Sequence, residues 1–140
     1  LGLKGKLNIW NENIGGCLSL ILLLDQFTRN IFRDTPKAFE GDFQALDLSL
    51  DAIKKGYLTE KNSGWRHFLL MPLMHSENLA IQEMSLPLFQ KYTNKKTYLF
   101  AKRHHDIINR FGRFPHRNQV LGRVSSKGEV VFLTEPGSSF

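Results

Sequence analysis

The stretch Cys17-Leu18-Ser19-Leu20-Ile21-Leu22-Leu23-Leu24-Asp25-Gln26-Phe27-Thr28-Arg29-Asn30-Ile31-Phe32 decides the fold. Wound as a helix it is apolar on almost every side, with Ser19, Gln26 and Asn30 forming a narrow polar strip. Such a helix belongs in the middle of a bundle, covered on several faces. Its longest apolar run, Leu18 to Leu24, is interrupted by Ser19 and stops at Asp25. That falls far short of the roughly 18–20 residues of a membrane-spanning helix, so no membrane partner is expected.

Helical signals continue downstream. Thr35 is placed to cap a new helix, with Pro36 at its first position, where the missing N–H costs nothing. Phe39, Phe43, Leu46, Leu50 and Ile53 recur at 4-3-4-3 spacing, which predicts an amphipathic helix with that stripe inward. Gly56 falls where a helix C-terminus takes glycine. Trp65 to Met71 predicts a short apolar helix halted near Pro72. Ser76 is expected to cap the next helix, in which Ala80, Ile81, Met84 and Leu88 share a face and Pro87 introduces a kink. A further helix spans about Lys95 to Phe111, with Phe100, Ile107, Ile108 and Phe111 inward and Gly112 at its end. Ser126 and Glu129 form a Ser-x-x-Glu capping box before Val130-Val131-Phe132-Leu133. Glu135 to Phe140 reads as a turn or loose terminus. No run alternates with period two for long enough to argue a sheet. The expectation is an all-α protein: a compact array of about five or six helices, of α-solenoid type, in a single domain over residues 1–140. No convincing internal repeat accompanies it.

Composition sets outer limits. The chain has 140 residues, 41% of them apolar and eleven of them Phe, which is enough to bury a sizeable core and excludes a disordered chain. One cysteine, Cys17, excludes a disulfide scaffold and points to a reducing, cytoplasmic compartment. Leu1 to Gly16 carries no apolar signal-peptide core. A net charge of +6 leans toward anionic partners.

In an array of amphipathic helices the informative residues are polar groups on the buried side. Asp25 and Arg29, four apart, project into the sector holding Leu18, Ile21, Leu22 and Phe32. An internal ion pair fixing helix register accounts for them as well as Asp25 orienting Arg29 toward a ligand. His104 lies at the centre of the sector formed by Phe100, Ala101, Ile107, Ile108 and Phe111, where a satisfied core histidine is the commoner outcome. Glu77 shares the face of Ala80, Ile81, Met84 and Leu88, where the helix dipole favours it and where His104 or Arg29 could partner it. Between Phe100 and Arg123, six basic residues face Asp106 alone, so +5 of the +6 sits in 24 residues. Arg110, Arg113, His116, Arg117, Asn118 and Arg123 fall there. Guanidinium forks match carboxylates and phosphates, so the cluster reads as an anion site, although each Arg taken singly could equally pair with a neighbouring carboxylate.

There is no P-loop, dinucleotide fingerprint, nucleophile elbow or Cys-x-x-Cys. His75-x-Glu77 lacks the second histidine of a zinc-protease motif, so no metal or cofactor is expected.

Three segments together resemble an uncharacterised, mainly bacterial family known as domain of unknown function 924. They are Leu24 to Arg33, then Met71-Pro72-Leu73-Met74-His75-Ser76-Glu77, and Arg103-His104 through Arg123, with Arg110-Phe111-Gly112-Arg113-Phe114-Pro115-His116-Arg117-Asn118 the most specific string. Gly137-Ser138-Ser139-Phe140 also looks like the family's C-terminus. The resemblance implies a tetratricopeptide-like helical fold with no established activity. Its motif positions coincide with Asp25, Arg29, Asn30, His75, Glu77, His104, Arg113, His116, Arg117 and Arg123. Thr28, Met74, Asn78 and Gly128 depart from it, standing where Pro, Glu, an acid and Glu are usual. It also implies a further N-terminal segment of some tens of residues ahead of Leu1. Its loss would leave an apolar face beside Cys17 to Phe32 uncovered or paired in a homo-oligomer.

The leading expectation is a helical binding protein whose basic pocket or groove holds a small anionic ligand or an acidic peptide. Candidate ligand-binding residues are Asp25, Arg29, Asn30, Arg110, Arg113, His116, Arg117, Asn118 and Arg123. The alternative is a hydrolase or transferase on an anionic substrate, with His104 or His75 as general base and Glu77 as its orienter. Nucleic-acid binding, with Phe111 and Phe114 stacking on bases, ranks third because no specific motif supports it.

Overall fold

The decisive stretch folds as one continuous rod from Ile14 to Ile31, in the computed structural model that describes all 140 residues. Helix α1 (Ile14–Ile21) leads into a π-helical segment (Leu22–Phe27) and then α2 (Thr28–Ile31), with helical backbone angles at both junctions. Asn13 caps the start by accepting from the Gly16 amide. The π segment ends where Thr28 donates both its N–H and its hydroxyl to the Leu23 carbonyl. A π turn adds a residue, so everything after it is rotated relative to an unbroken α-helix. Cys17, Leu18, Leu20, Ile21, Leu24 and Asp25 are buried, whereas Phe27 and Ile31 are 51% and 71% exposed. The expectation of burial on several faces therefore holds for the first half of the rod only.

A 3-10 turn (Pro36–Phe39) follows, with Pro36 at its first position as expected, but Thr35 spends its hydroxyl on the Phe32 carbonyl rather than on a cap. Helix α3 (Asp42–Lys54) starts only after Gly41, whose α-carbon lies so close to the Leu24 carbonyl that a Cβ would overlap it. The 4-3-4-3 stripe is not the buried face. Ala45, Ser49 and Ala52 are fully covered, Leu46, Leu50 and Ile53 flank them, and Phe43 is 83% exposed. Small residues at the contact let α3 approach its neighbours closely, with larger ones filling the margins. Gly56 ends the helix in left-handed conformation, φ 75°, as its position predicts.

Helix α4 (Ser63–Met74) runs through Pro72 rather than stopping before it. Helix α5 (Leu79–Tyr92) is capped by Asn78, whose Oδ1 accepts from Ala80 and Ile81, and not by Ser76. Its buried residues are Gln82, Ser85 and Phe89, one step round from the expected face, and Gln82 donates to the Met74 and Ser76 carbonyls at the end of α4. Helix α6 (Lys95–Phe111) and its Gly112 terminus match the sequence reading. The capping box of α7 (Lys127–Phe132) is formed in both directions.

Successive helices pack in sequence order, α3 on α4, α4 on α5 and α5 on α6, with α1 laid against α3 and α4. One core joins α1, α3, α4, α5 and α6 around Ile21, Leu69, Leu70, Leu73 and Phe89, while Ile107, Ile108, Phe114 and Phe132 form a smaller one. Each fully buried Leu or Phe contributes about 1.5–3 kcal/mol of transfer free energy. The protein is an all-helical, compact array, and none of its helices is long and apolar enough to cross a membrane. The closing segment is docked, not loose: Ser138 is buried and Arg103 donates to the Gly137 carbonyl.

Candidate functional site

Two cavities of about 700 and 760 Å³ share the side chains of Phe39, His75 and Arg117. The smaller is lined by Asp25, Glu40, Asp42 and Glu77 against Lys37 and Arg117. The larger holds Arg29, Asn30, Arg33 and Arg117 with four imidazoles, His67, His75, His104 and His116, and Asp34 is its only acidic side chain. The two faces of the shared wall thus carry opposite chemistry.

The π segment brings Asp25 onto that wall. Its carboxylate is fully buried, takes a 2.6 Å hydrogen bond with His75 Nδ1 and accepts from Gln26, with Arg29 at 3.5 Å. Burial opposes its ionisation, but the charge and hydrogen bond of His75, then Arg29 and Gln26, outweigh it and hold the carboxyl below its usual range. Arg29 makes its closer pair elsewhere, forking onto Asp42 at 2.6 and 3.1 Å. The i,i+4 pair read from the sequence is therefore the weaker half of an Asp25–Arg29–Asp42 chain.

Arg117 sits between the Phe39 and Phe114 rings, 4.6 and 4.7 Å from their centroids. It donates to the His75 carbonyl at 2.9 Å and reaches Asp42 only at 3.5 Å, while its Nε is buried without a partner. Burial, then the neighbouring Arg29 charge, pushes it down to about 10, which still leaves it a cation at neutral pH. His116 beside it has a buried, unpartnered Nδ1 and is pushed down to about 4 by burial and by Arg117.

His104 is 4% exposed, donates Nδ1–H to the Phe100 carbonyl at 2.7 Å, and is covered by Phe140 with ring centroids 3.9 Å apart. Burial drives it down to about 3. So low a value weighs against His104 as the general base of the alternative reading. Glu77 bonds neither His75 nor His104. It accepts from the Phe114 amide and forks onto Arg123 at 2.8 and 2.9 Å. Burial raises its affinity for a proton, but the Arg123 and Phe114 bonds outweigh that and hold it below the carboxylate range.

The remaining basic residues have acidic or aromatic neighbours that sequence distance concealed. Arg113 forks onto Glu129 at 2.7 and 2.8 Å and reaches the Val124 carbonyl, and the Arg113 bonds draw Glu129 down to about 2. Asn118 is buried, accepting from Arg123 and donating to Ser125. Arg110 is exposed and lies over Phe111 and Phe132. Arg113, Arg123, Asn118 and Arg110 thus brace the segment after α6 and do not line the larger cavity, whereas Arg29, Asn30, His75, His104, His116 and Arg117 do. Phe114 is fully buried and Phe111 packs on Phe132, so neither offers the stacking platform that base recognition needs.

Sequence reasoning missed Arg33, His67, Phe39, Asp42 and Phe140. Arg33 lies four residues beyond Arg29 in the same motif, a spacing that could have drawn attention to it. Nothing local marks Phe140. Met74, standing where the family resemblance leads one to expect Glu, also lines the larger cavity and supplies no charge there. No group of three or more His, Cys, Asp or Glu converges as metal ligands.

An all-helical array with a histidine- and arginine-rich cavity is the class of protein that fold and site define. The chain belongs to a family of bacterial proteins of unknown function, DUF924, whose model matches residues 2–137. It is similar to the solved structure of a protein of unknown function, ATU0120, from Agrobacterium tumefaciens, at 36% identity and a TM-score of 0.88. That likeness covers 93% of this chain and 73% of the other. No protein of curated function matches the chain.

Proposed function

We propose that the protein is a helical binding protein whose larger cavity holds the anionic group of a small molecule. The observation that carries this is Arg117: a guanidinium only 7% exposed on the cavity wall, pushed down by burial and then by the charge of Arg29 beside it, with Asp42 no nearer than 3.5 Å. An anion beside Arg29, Arg33 and Arg117 would relieve that mutual repulsion and supply charge-assisted hydrogen bonds. A cavity of about 760 Å³ has the size of small-molecule sites, which favours a compact ligand over an acidic peptide. The helix-by-helix packing order supports reading the fold as a tetratricopeptide-like array, and a single buried Cys17 supports a cytoplasmic setting.

A second reading, hydrolysis or group transfer on an anionic substrate, rests on the Asp25–His75 pair. A buried carboxylate fixing an imidazole through Nδ1 is how a general base is oriented. It is secondary because it rests on that one pair, whereas several cations of the larger cavity support anion binding.

Titration calorimetry with inorganic phosphate tests the binding reading. Arg33 is exposed at the rim and makes no ion pair within the chain, so Arg33→Ala should leave the fold intact and weaken phosphate binding about tenfold. Absence of phosphate binding, or equal affinity in Arg33→Ala, overturns it.

A further inference from the structure

The cavity's cations are not its only recognition groups. A carbonyl oxygen can only accept, so the proton of His104 is fixed on Nδ1 by the Phe100 carbonyl. Burial keeps that ring neutral, and its Nε2 is therefore a hydrogen-bond acceptor. The Asp25 carboxylate takes the Nδ1–H of His75 and leaves the other nitrogen of that ring without a bond to the protein. Neither Nε2 has a partner within the protein, and neither is sealed off as His116 Nδ1 is. The two rings lie with centroids 6.4 Å apart, on the wall that also carries Arg29, Arg33 and Arg117.

Guanidinium groups need acceptors on the ligand, whereas the His104 acceptor needs a donor. A ligand that covered this nitrogen without offering an O–H or N–H group would leave a buried acceptor unsatisfied, which costs more than the hydrogen bond is worth. Resting on the anion-binding reading, we propose that the ligand is a hydroxylated organic anion, a polyol phosphate or hydroxy acid. Its charged group lies against the arginines, and a hydroxyl donates to Nε2 of His104. The ring faces of Phe39, Phe100 and Phe140 on the same wall suit the C–H surface of such a molecule.

The test compares glycerol 3-phosphate, propyl phosphate and inorganic phosphate by calorimetry on the full chain at pH 8. Glycerol 3-phosphate should bind about tenfold more tightly than propyl phosphate, which has the same length and anion but no hydroxyls. His104→Asn keeps a side-chain N–H in place of Nδ1–H and deletes Nε2. It should remove most of the preference for glycerol 3-phosphate over propyl phosphate. In the wild-type protein, the Nε2 nitrogen resonance of His104 should move on adding glycerol 3-phosphate and stay in place on adding propyl phosphate, a readout that survives even if the variant fails to fold. Equal affinity for the two organic phosphates, or an unmoved Nε2 resonance, overturns the proposal. Failure of inorganic phosphate to bind overturns the anion site itself, so the two failures are distinguishable.

Discussion

Asp25 Oδ1 and His75 Nδ1 meet at 2.6 Å across fifty residues of sequence, at a carboxylate with no solvent exposure. The bond joins the π segment of the first rod to the end of α4 and fixes which nitrogen of His75 is left for other work. The imidazole so held forms part of the wall that both cavities share.

Removing the carboxylate should be costly. Asp25→Ala strips His75, Gln26 and Arg29 of a shared buried acceptor, and breaking such a pair from one side costs about 3–5 kcal/mol. Urea unfolding of the variant measures it. A loss under about 1 kcal/mol would show that the pair is incidental.

Arg113 and Arg33 should separate stability from binding. Arg113 is committed to Glu129 and the Val124 carbonyl, so Arg113→Ala should lower the melting temperature and leave phosphate affinity alone. Arg33→Ala should do the reverse. A phosphate-binding defect in Arg113→Ala would return that residue to the ligand site.

Mild acid should weaken the fold. His104 and His116 titrate at about 3 and about 4 in the native state, against about 6.5 for a free imidazole. Both folded values are lowered, so between pH 6.5 and 4 the unfolded chain binds more protons and stability falls as pH falls. The slope approaches about 1.4 kcal/mol per pH unit for each proton taken up. Below about pH 4.5 Glu129, titrating at about 2 in the native state, adds a loss of the same sign. Denaturant midpoints across pH 4–8 check this, and a flat profile there would contradict the buried, neutral histidines.

The true cap of α5 can be checked by exchange. Asn78→Ala should cost about 1 kcal/mol, whereas Asn78→Asp keeps the acceptor for Ala80 and Ile81 and should be nearly neutral. Ser76→Ala should have the smaller effect of the two alanine variants. The same geometry explains why an acid and an asparagine can exchange at this position.

Legibility in the sequence followed the range of each signal. The Gly56 and Gly112 termini, the Ser126–Glu129 box and the span of α6 were readable because the chemistry lies within four residues. The buried face of α3 was misread because hydrophobicity counts side chains, while close helix contact selects small ones such as Ala45, Ser49 and Ala52. Of the polar positions singled out, Arg29, Asn30, His75, His104, His116 and Arg117 gather on one cavity. Arg113 and Arg123 could not be told from them in a list of basic residues.

The sequence by itself determined that this chain is helical and placed both ends of α6, the start of α7 and the Gly56 terminus of α3, because capping, glycine termini and 3.6-residue periodicity are local. Its +5 concentration between Phe100 and Arg123 was equally plain. Only the tertiary structure decided which carboxylate meets which base: Glu129 for Arg113, Glu77 for Arg123, Asp42 for Arg29, Asp25 for His75. Those pairings span 13 to 50 residues and are set by how the helices cross and by one π turn that rotates the end of the first rod. Charge counts along the chain carry no information about such crossings.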